Sequence, residues 1–268
     1  MKRSNNGTGI GFVGTEPGTS RGESQWTGTA VLSWKPVDEV LLYVSYSKGY
    51  KAGGYNLDVS ALDRTCNATF DTACAARLAL PANTPFNGRP EASDLQFDAE
   101  KVTAYEVGFK LDTRQFDLIV AAFYSAFDNY QLNTFNGLTF EVTNVQGCKD
   151  KLNGADRDGS ATTGGCGASR LRPGVVSKGV EAEFFVYPAR HLSLNGGITY
   201  LNSRYRNDLV GTGGRALSPV LFQLPGRRTF SAAYTVTAAI SYTPPITDRL
   251  SALIYFDTRL QSDVNTGS

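Results

Sequence analysis

Apolar and polar residues alternate along this chain in long segments with a period of two, the period of a strand whose faces meet different surroundings. Phe230–Tyr242 is the most regular. Phe230, Ala232, Tyr234, Val236, Ala238, Ile240 and Tyr242 fall on one face, with Ser231, Ala233, Thr235, Thr237, Ala239 and Ser241 on the other. Thr103–Leu111 sets Tyr105, Val107, Phe109 and Leu111 against Ala104, Glu106, Gly108 and Lys110. Val180–Val186 opposes Val180, Ala182, Phe184 and Val186 to Glu181 and Glu183, and Leu192–Tyr200 alternates in the same way. Trp26–Lys35, Val40–Tyr50, Phe116–Asn133 and Leu250–Leu260 are less regular. Together the segments predict about eight long strands.

The connections predict how those strands are arranged. Short ones at Lys35–Glu39, Asp112–Gln115, Pro188–His191 and Thr243–Arg249 alternate with long ones at Lys51–Glu100, Asn129–Val175 and Arg206–Arg228. Short turns on one side and long loops on the other are the cadence of an outer-membrane barrel. Aromatic residues at the ends of Phe230–Tyr242, with small aliphatics between, fit the interfacial girdles of such a barrel. The fold class expected is all-β: an antiparallel up-and-down transmembrane β-barrel, present in part as about eight strands of a larger barrel. The polar ending Asp263–Ser268 lacks the apolar face of a closing strand, and residues 26–268 are expected to form the partial barrel after a loop-like leader at 1–25. An unclosed sheet in lipid leaves edge N–H and C=O groups unpaired, so the isolated polypeptide is expected to aggregate.

Composition narrows the partners. Charged residues make up 19% of the 268 and the net charge is +1, with no basic stretch to track a phosphate backbone, so nucleic acid is not an expected partner. Aromatics reach 11%, beside 28 glycines, a mixture that favours strands and turns over helices. No apolar run approaches the roughly 18 residues a membrane-spanning helix requires. A barrel strand needs only about 10 residues with one apolar face.

Four cysteines fall as Cys66 and Cys74 in one long loop and Cys148 and Cys166 in the next. Three pairings are formally possible, and pairing within each loop is the economical one in an oxidising setting. No metal site is expected, since His191 lies far from the cysteines in sequence and no C-x-x-C occurs. No cofactor is expected either. Gly18-Thr19-Ser20-Arg21-Gly22 matches a nucleophile elbow only as a string, because its flanks are loop and not strand and helix. Gly7–Gly11 lacks the preceding strand of a dinucleotide fingerprint. Asp156-Arg157-Asp158-Gly159 lacks the terminal Glu of a calcium loop. Glu181 and Glu183, about 7 Å apart on one strand face, suit a wet lumen better than acid/base work. The chain is not expected to be an enzyme.

The string Leu42-Tyr43-Val44-Ser45-Tyr46-Ser47-Lys48-Gly49-Tyr50-Lys51-Ala52-Gly53-Gly54-Tyr55-Asn56 resembles a segment of the barrel domain of TonB-dependent outer-membrane receptors. Glu100–Lys110 resembles the family's Glu-x-Gly-x-Lys strand, and Ser177–Glu183 its later Gly-x-Glu strand, in the same order and approximate spacing. The resemblance implies a barrel of about 22 strands, plugged by an N-terminal domain, in the outer membrane of a Gram-negative cell. It implies import of a scarce nutrient such as a ferric siderophore, cobalamin or glycan, driven by an inner-membrane TonB-type energising complex. The family's plug, coupling box and terminal aromatic strand have no counterpart in these residues, so the chain is expected to be the later part of such a barrel.

Ligand contacts are expected in the long loops and the adjoining lumen, where side chains can differ without disturbing strand pairing. Aromatic and basic residues there make Tyr50, Lys51, Tyr55, Arg64, Arg89, Phe135, Arg170 and Arg172 the candidates for a small-molecule or iron-complex ligand. Two other readings compete: a complete eight-stranded barrel with a structural or adhesive role, and a soluble all-β enzyme or lectin-like domain. Strand length and aromatic ends favour the membrane over the soluble sandwich, which shares the alternation.

Overall fold

The computed structural model describes residues 22–58, 62–63, 74–81, 87–135, 137, 139–160 and 163–264. An eight-stranded antiparallel sheet dominates it. Its strands are β1 (Gly28–Val37), β2 (Val40–Lys51), β3 (Glu100–Asp112), β4 (Phe116–Asp128), β5 (Val175–Ala189), β6 (Leu192–Tyr205), β7 (Tyr234–Tyr242) and β8 (Ile254–Gln261). Each pairs only with its neighbours in sequence order, and β1 and β8 do not pair with each other, so the barrel is open. Among the described residues no helix is long and apolar enough to cross a membrane.

Register carries the alternation of the sequence across all eight strands. Trp34, Leu42, Phe109, Val120, Ala182, Ile198, Val236 and Leu260 stand side by side, one from each strand, in a single apolar row. The parallel row on the opposite face runs Ser33, Tyr43, Gly108, Ala121, Glu181, Thr199, Thr235 and Gln261. A one-residue slip at any strand would move its apolar set to the polar face, so the two rows fix each other. Tyr46, Tyr105 and Tyr124 line up near the long-connection end of the apolar face, and the Tyr46 and Tyr105 rings lie 5.2 Å apart. Val107 and Ile198 in the middle of that face are 53% and 52% exposed. A contiguous apolar surface of this kind needs a non-aqueous neighbour.

Short turns cluster at one end. Asp38–Glu39, Thr113–Gln115 and Arg190–His191 join β1 to β2, β3 to β4 and β5 to β6. His191 takes a positive φ of 65° in its two-residue turn. Proline falls at both places where the register slips beside such a turn, Pro36 between Trp34 and Val37 and Pro188 between Val186 and Ala189. A residue without an N–H is tolerated where the ladder is already interrupted.

Three strands depart from the sequence expectation. Phe116–Asn133 is not one strand: Asn129, at φ 51°, turns the chain, and Tyr130–Phe135 joins a different sheet. The apolar run continues through the break because the second sheet has a core of its own. β7 begins at Tyr234, the preceding residues being held by loop contacts such as Thr229 N–H to Ser203 O at 3.0 Å. The β7 to β8 connection is longer than the other short ones and carries a small hairpin, Pro245–Thr247 against Leu250–Ser251, ahead of the strand at Ile254.

The buried core sits at the long-connection end, outside the main sheet. Tyr130–Phe135, Phe140–Cys148 and Leu209–Gly211 form a sheet, with Leu171–Arg172 paired to Phe140–Cys148. Leu132, Val145, Leu209, Leu217 and Leu221 pack there against Val175 and Tyr205, the first residue of β5 and the last of β6. Loop core and strand ends are therefore one packing unit.

Candidate functional site

The described residues of the three long connections, 52–99, 129–174 and 206–233, converge on one end of the sheet and build a cap. Three polar side chains join the first two. Asn56 donates from Nδ2 to Val142 O at 2.9 Å and accepts from Val142 N–H at 2.7 Å, completing a backbone-like pair with a side chain. Fully buried Asn144 accepts from Asp98 N–H at 2.6 Å and donates to Asp98 O at 2.9 Å and Asn129 O at 2.8 Å. Gln131 donates from Nε2 to Ala52 O at 2.9 Å and Asp98 O at 3.0 Å. Buried amides persist when each donor and acceptor is met, and here every bond but the one to Asn129 O spans two connections.

The third connection is tied to the second. Leu209–Gly211 pairs with Val145–Gly147, Cys148 N–H donates to Asp208 O at 2.7 Å, and Arg157 donates to Pro225 O at 3.0 Å. Cys148 and Cys166 form a disulfide, as local pairing predicted. Cys74 is also disulfide-bonded and fully buried, while Cys66 lies outside the described residues. Cys148, Asp150 and Cys166 approach one another closely, but the bridge consumes both thiolates and leaves no ligand set for a metal. Asp158 accepts from Thr163 Oγ1 and Ser160 N–H, contacts that hold its carboxyl below the usual range, and Asp156 is buried, so this acidic string is an ordinary hydrogen-bonded turn.

The expected ligand residues do not gather at one point. Tyr50 and Lys51 end β2 and are exposed. Tyr55 is half-buried against Ala92 and Leu95, and its hydroxyl accepts from Gln96 Nε2 at 3.3 Å. Arg89 donates to Leu80 O at 3.1 Å and to Leu78 O, closing the carbonyl end of the short helix Cys74–Leu78. Phe135 and Phe140 face each other across a hairpin tip, ring centroids 5.3 Å apart and both exposed. Arg170, at the end of the 3-10 turn Ala168–Arg170, pairs with Asp150 at 2.7 Å, and Arg172, in the strand Leu171–Arg172 that follows, lies 3.8 Å from Asp208. Arg64 lies outside the described residues, as does most of the Gly18–Gly22 string and all of Gly7–Gly11.

A carboxylate cluster lies in the first connection. Asp94 Oδ2 accepts from Glu91 N–H at 2.9 Å and Asp63 N–H at 3.1 Å, while burial pushes the Asp94 carboxyl above its ordinary range. Burial pulls the Arg215 guanidinium of the third connection down, opposed by the charges of Asp63 and Asp94. Sequence reading did not single out Asn56, Gln131, Asn144 or this cluster. Asn144 carried one usable signal, a polar residue in line with apolar positions of an alternating segment.

The family described as TonB dependent receptor-like, beta-barrel, matches residues 2–267. Comparison with curated protein sequences found no match. Among solved structures, the ferric yersiniabactin uptake receptor FyuA from Yersinia pestis aligns with a TM-score of 0.53 at 18% identity, over 88% of this chain and 25% of that one. The alcaligin outer membrane receptor FauA from Bordetella pertussis aligns at 0.47 and 13%, over 91% and 30%. BauA, the ferric preacinetobactin receptor from Acinetobacter baumannii, aligns at 0.47 and 17%, over 88% and 25%. The chain thus spans about a quarter of the length of FyuA, with which it shares a fold. On the family match across nearly its whole length, the chain belongs to the TonB-dependent receptor-like β-barrel family.

Proposed function

We propose that this chain is part of the barrel and outer cap of an outer-membrane receptor of a Gram-negative cell, which imports a scarce nutrient. The observation that carries the reading is the pair of rows across the eight strands, apolar on one face and polar or small on the other, with every long connection at one end. The apolar row meets lipid, the row from Ser33 to Gln261 lines a water-filled lumen, and the cap faces the medium. Residues 26–268 supply the barrel part and residues 1–25 lead into it. A ligand of the ferric-siderophore kind fits the family. TonB-type energisation drives the import, and transport replaces chemistry on the ligand, so no catalytic residue is assigned.

Of the sequence-based contacts, Tyr50, Lys51, Phe135, Arg170 and Arg172 keep exposed or half-exposed side chains suited to meeting a ligand. Tyr55 and Arg89 serve the cap's own packing first. The open sheet, with β1 and β8 unpaired to each other, supports a larger barrel over a closed eight-stranded adhesive one.

The test is uptake by the parent receptor. Deleting its gene should abolish accumulation of one radiolabelled ferric siderophore from a panel under iron limitation, and a plasmid copy should restore it. Unchanged accumulation of every iron complex and cobalamin in the panel would overturn the import reading.

A further inference from the structure

Gly147 lies in the middle of the cap sheet, beside Arg172 on one neighbouring strand and Leu209 on the other. A Cβ at Gly147 would meet Pro173 O at 2.9 Å, Arg206 Cγ at 3.0 Å and Arg172 Cγ at 3.1 Å. The missing side chain therefore lets two arginine stems converge over one point of backbone. Both Arg172 Nε and Arg206 Nε are shielded from solvent and lack a hydrogen-bond partner. Gln146 also has an unmet Oε1, but strand alternation sends it to the face away from Gly147.

The charges around the pair do not balance. Asp208 stands 3.8 Å from Arg172 Nη2, and its Oδ1 already accepts from Leu152 N–H at 2.9 Å. Asp150 is committed to Arg170 at 2.7 Å. Arg206 forms no ion pair among the described residues. Arg172 thus has one distant, partly occupied carboxylate, and Arg206 has none. A shielded N–H without an acceptor is costly, and a planar fork of N–H donors matches the paired oxygens of a carboxylate or phosphate.

We propose that Arg172 and Arg206, meeting over Gly147, form a binding site for an oxyanion of the carboxylate or phosphate class. The inference stands on the cap's geometry and does not depend on which solute is imported. The anion meets the outer N–H groups of the two guanidiniums and offsets the second positive charge. Its source is either a free anionic solute or the phosphate of a lipid headgroup.

The experiment is calorimetric titration of the full-length receptor in detergent with inorganic phosphate, with succinate and with diphosphoryl lipid A in mixed micelles. Wild type should bind at least one, and R172Q and R206Q should each weaken it about tenfold or more. R206K keeps the charge but loses the planar fork of donors, and should fall short of wild type as well. R204Q is the control, because Arg204 Nε already donates to Asn202 Oδ1 at 2.9 Å, and it should bind normally. Resistance of the cap to trypsin confirms that each variant is folded. Arginine-dependent binding of phosphate or succinate assigns a free solute, and arginine-dependent binding of lipid A alone assigns the headgroup. No binding of any probe, wild-type affinity in R172Q and R206Q, or an equal loss in R204Q would overturn the proposal.

Discussion

Tyr43 donates its hydroxyl to Glu106 Oε1 at 2.6 Å, and its ring lies across Gly108, the residue directly opposite it on β3. Lys110 Nζ stands 5.9 Å from the same ring centroid. The string Glu106-x-Gly108-x-Lys110 is therefore one assembly: acceptor, bare backbone and cation, each meeting a different part of a single tyrosine. A Cβ at Gly108 would lie 2.1 Å from the ring, which must then leave. G108A should cost about 1–3 kcal/mol through overpacking and loss of the ring's contacts. Y43F keeps the ring and loses a hydrogen bond to a carboxylate, about 1.5–3 kcal/mol when fully shielded and less in a wet lumen. Urea unfolding of the detergent-folded receptor should rank both below wild type, with G108A the lower. Equal stability of G108A and wild type would contradict the contact.

Cutting the Cys148–Cys166 bridge should loosen the segment between its ends without disturbing the main sheet. A loop of this length gains roughly 3 kcal/mol from closure. C148S/C166S should be cut by trypsin at Lys149, Lys151 or Arg157 at least tenfold faster than wild type, while heat-modifiability of the barrel is retained. Mass spectrometry of the early fragments decides it, and unaltered cleavage would mean that the backbone pairing at Gly147 and Asp208 suffices.

Replacing Asn144 tests whether the first two connections move together. N144L fits an apolar side chain of similar size but takes the asparagine's bonds from Asp98 N–H and Asn129 O, while Asp98 O keeps Gln131, a loss of about 1–3 kcal/mol per unmet group. Hydrogen exchange should rise at residues 96–99 and 129–131 together. A rise at one segment alone would show that the asparagine does not couple them.

Acid should tighten the turn around Asp94. Burial favours its neutral form, so its folded pKa lies above the ordinary 3.8. With a raised folded pKa, the stabilisation is complete below the ordinary value and is lost as pH rises through the raised one. Exchange at residues 91–97, corrected for intrinsic rates, should therefore be slower at pH 4 than at pH 7. D94N should remove the difference, and an unchanged difference in that variant would place the titrating group elsewhere.

The strands and their order were legible because alternation is local and the two faces of the sheet meet opposite surroundings. Tyr105, Val107 and Phe109 announced their face in sequence, and so did Glu181 and Glu183. Phe116–Asn133 misled because an apolar residue reads the same whether it meets lipid or a loop core, and only Asn129 marks the change. The cap was opaque for a different reason. Asn56 meets Val142 and Gln131 meets Ala52, partners 86 and 79 residues away, and no spacing rule reaches across such distances. Arg172 entered the reading as a basic loop residue, whereas Arg206 and Gly147 carry no sign in sequence that they would meet.

The stitches between the long connections also bear on how such a protein can be altered. A receptor whose loops were separate ornaments could exchange one for another and inherit a new preference. Here Asn56 needs the backbone of Val142, Asn144 needs that of Asp98, and Leu209–Gly211 needs Val145–Gly147. Transplanting any single segment strands the partners of the other two, so the unit of inheritance, and of engineering, is the trio.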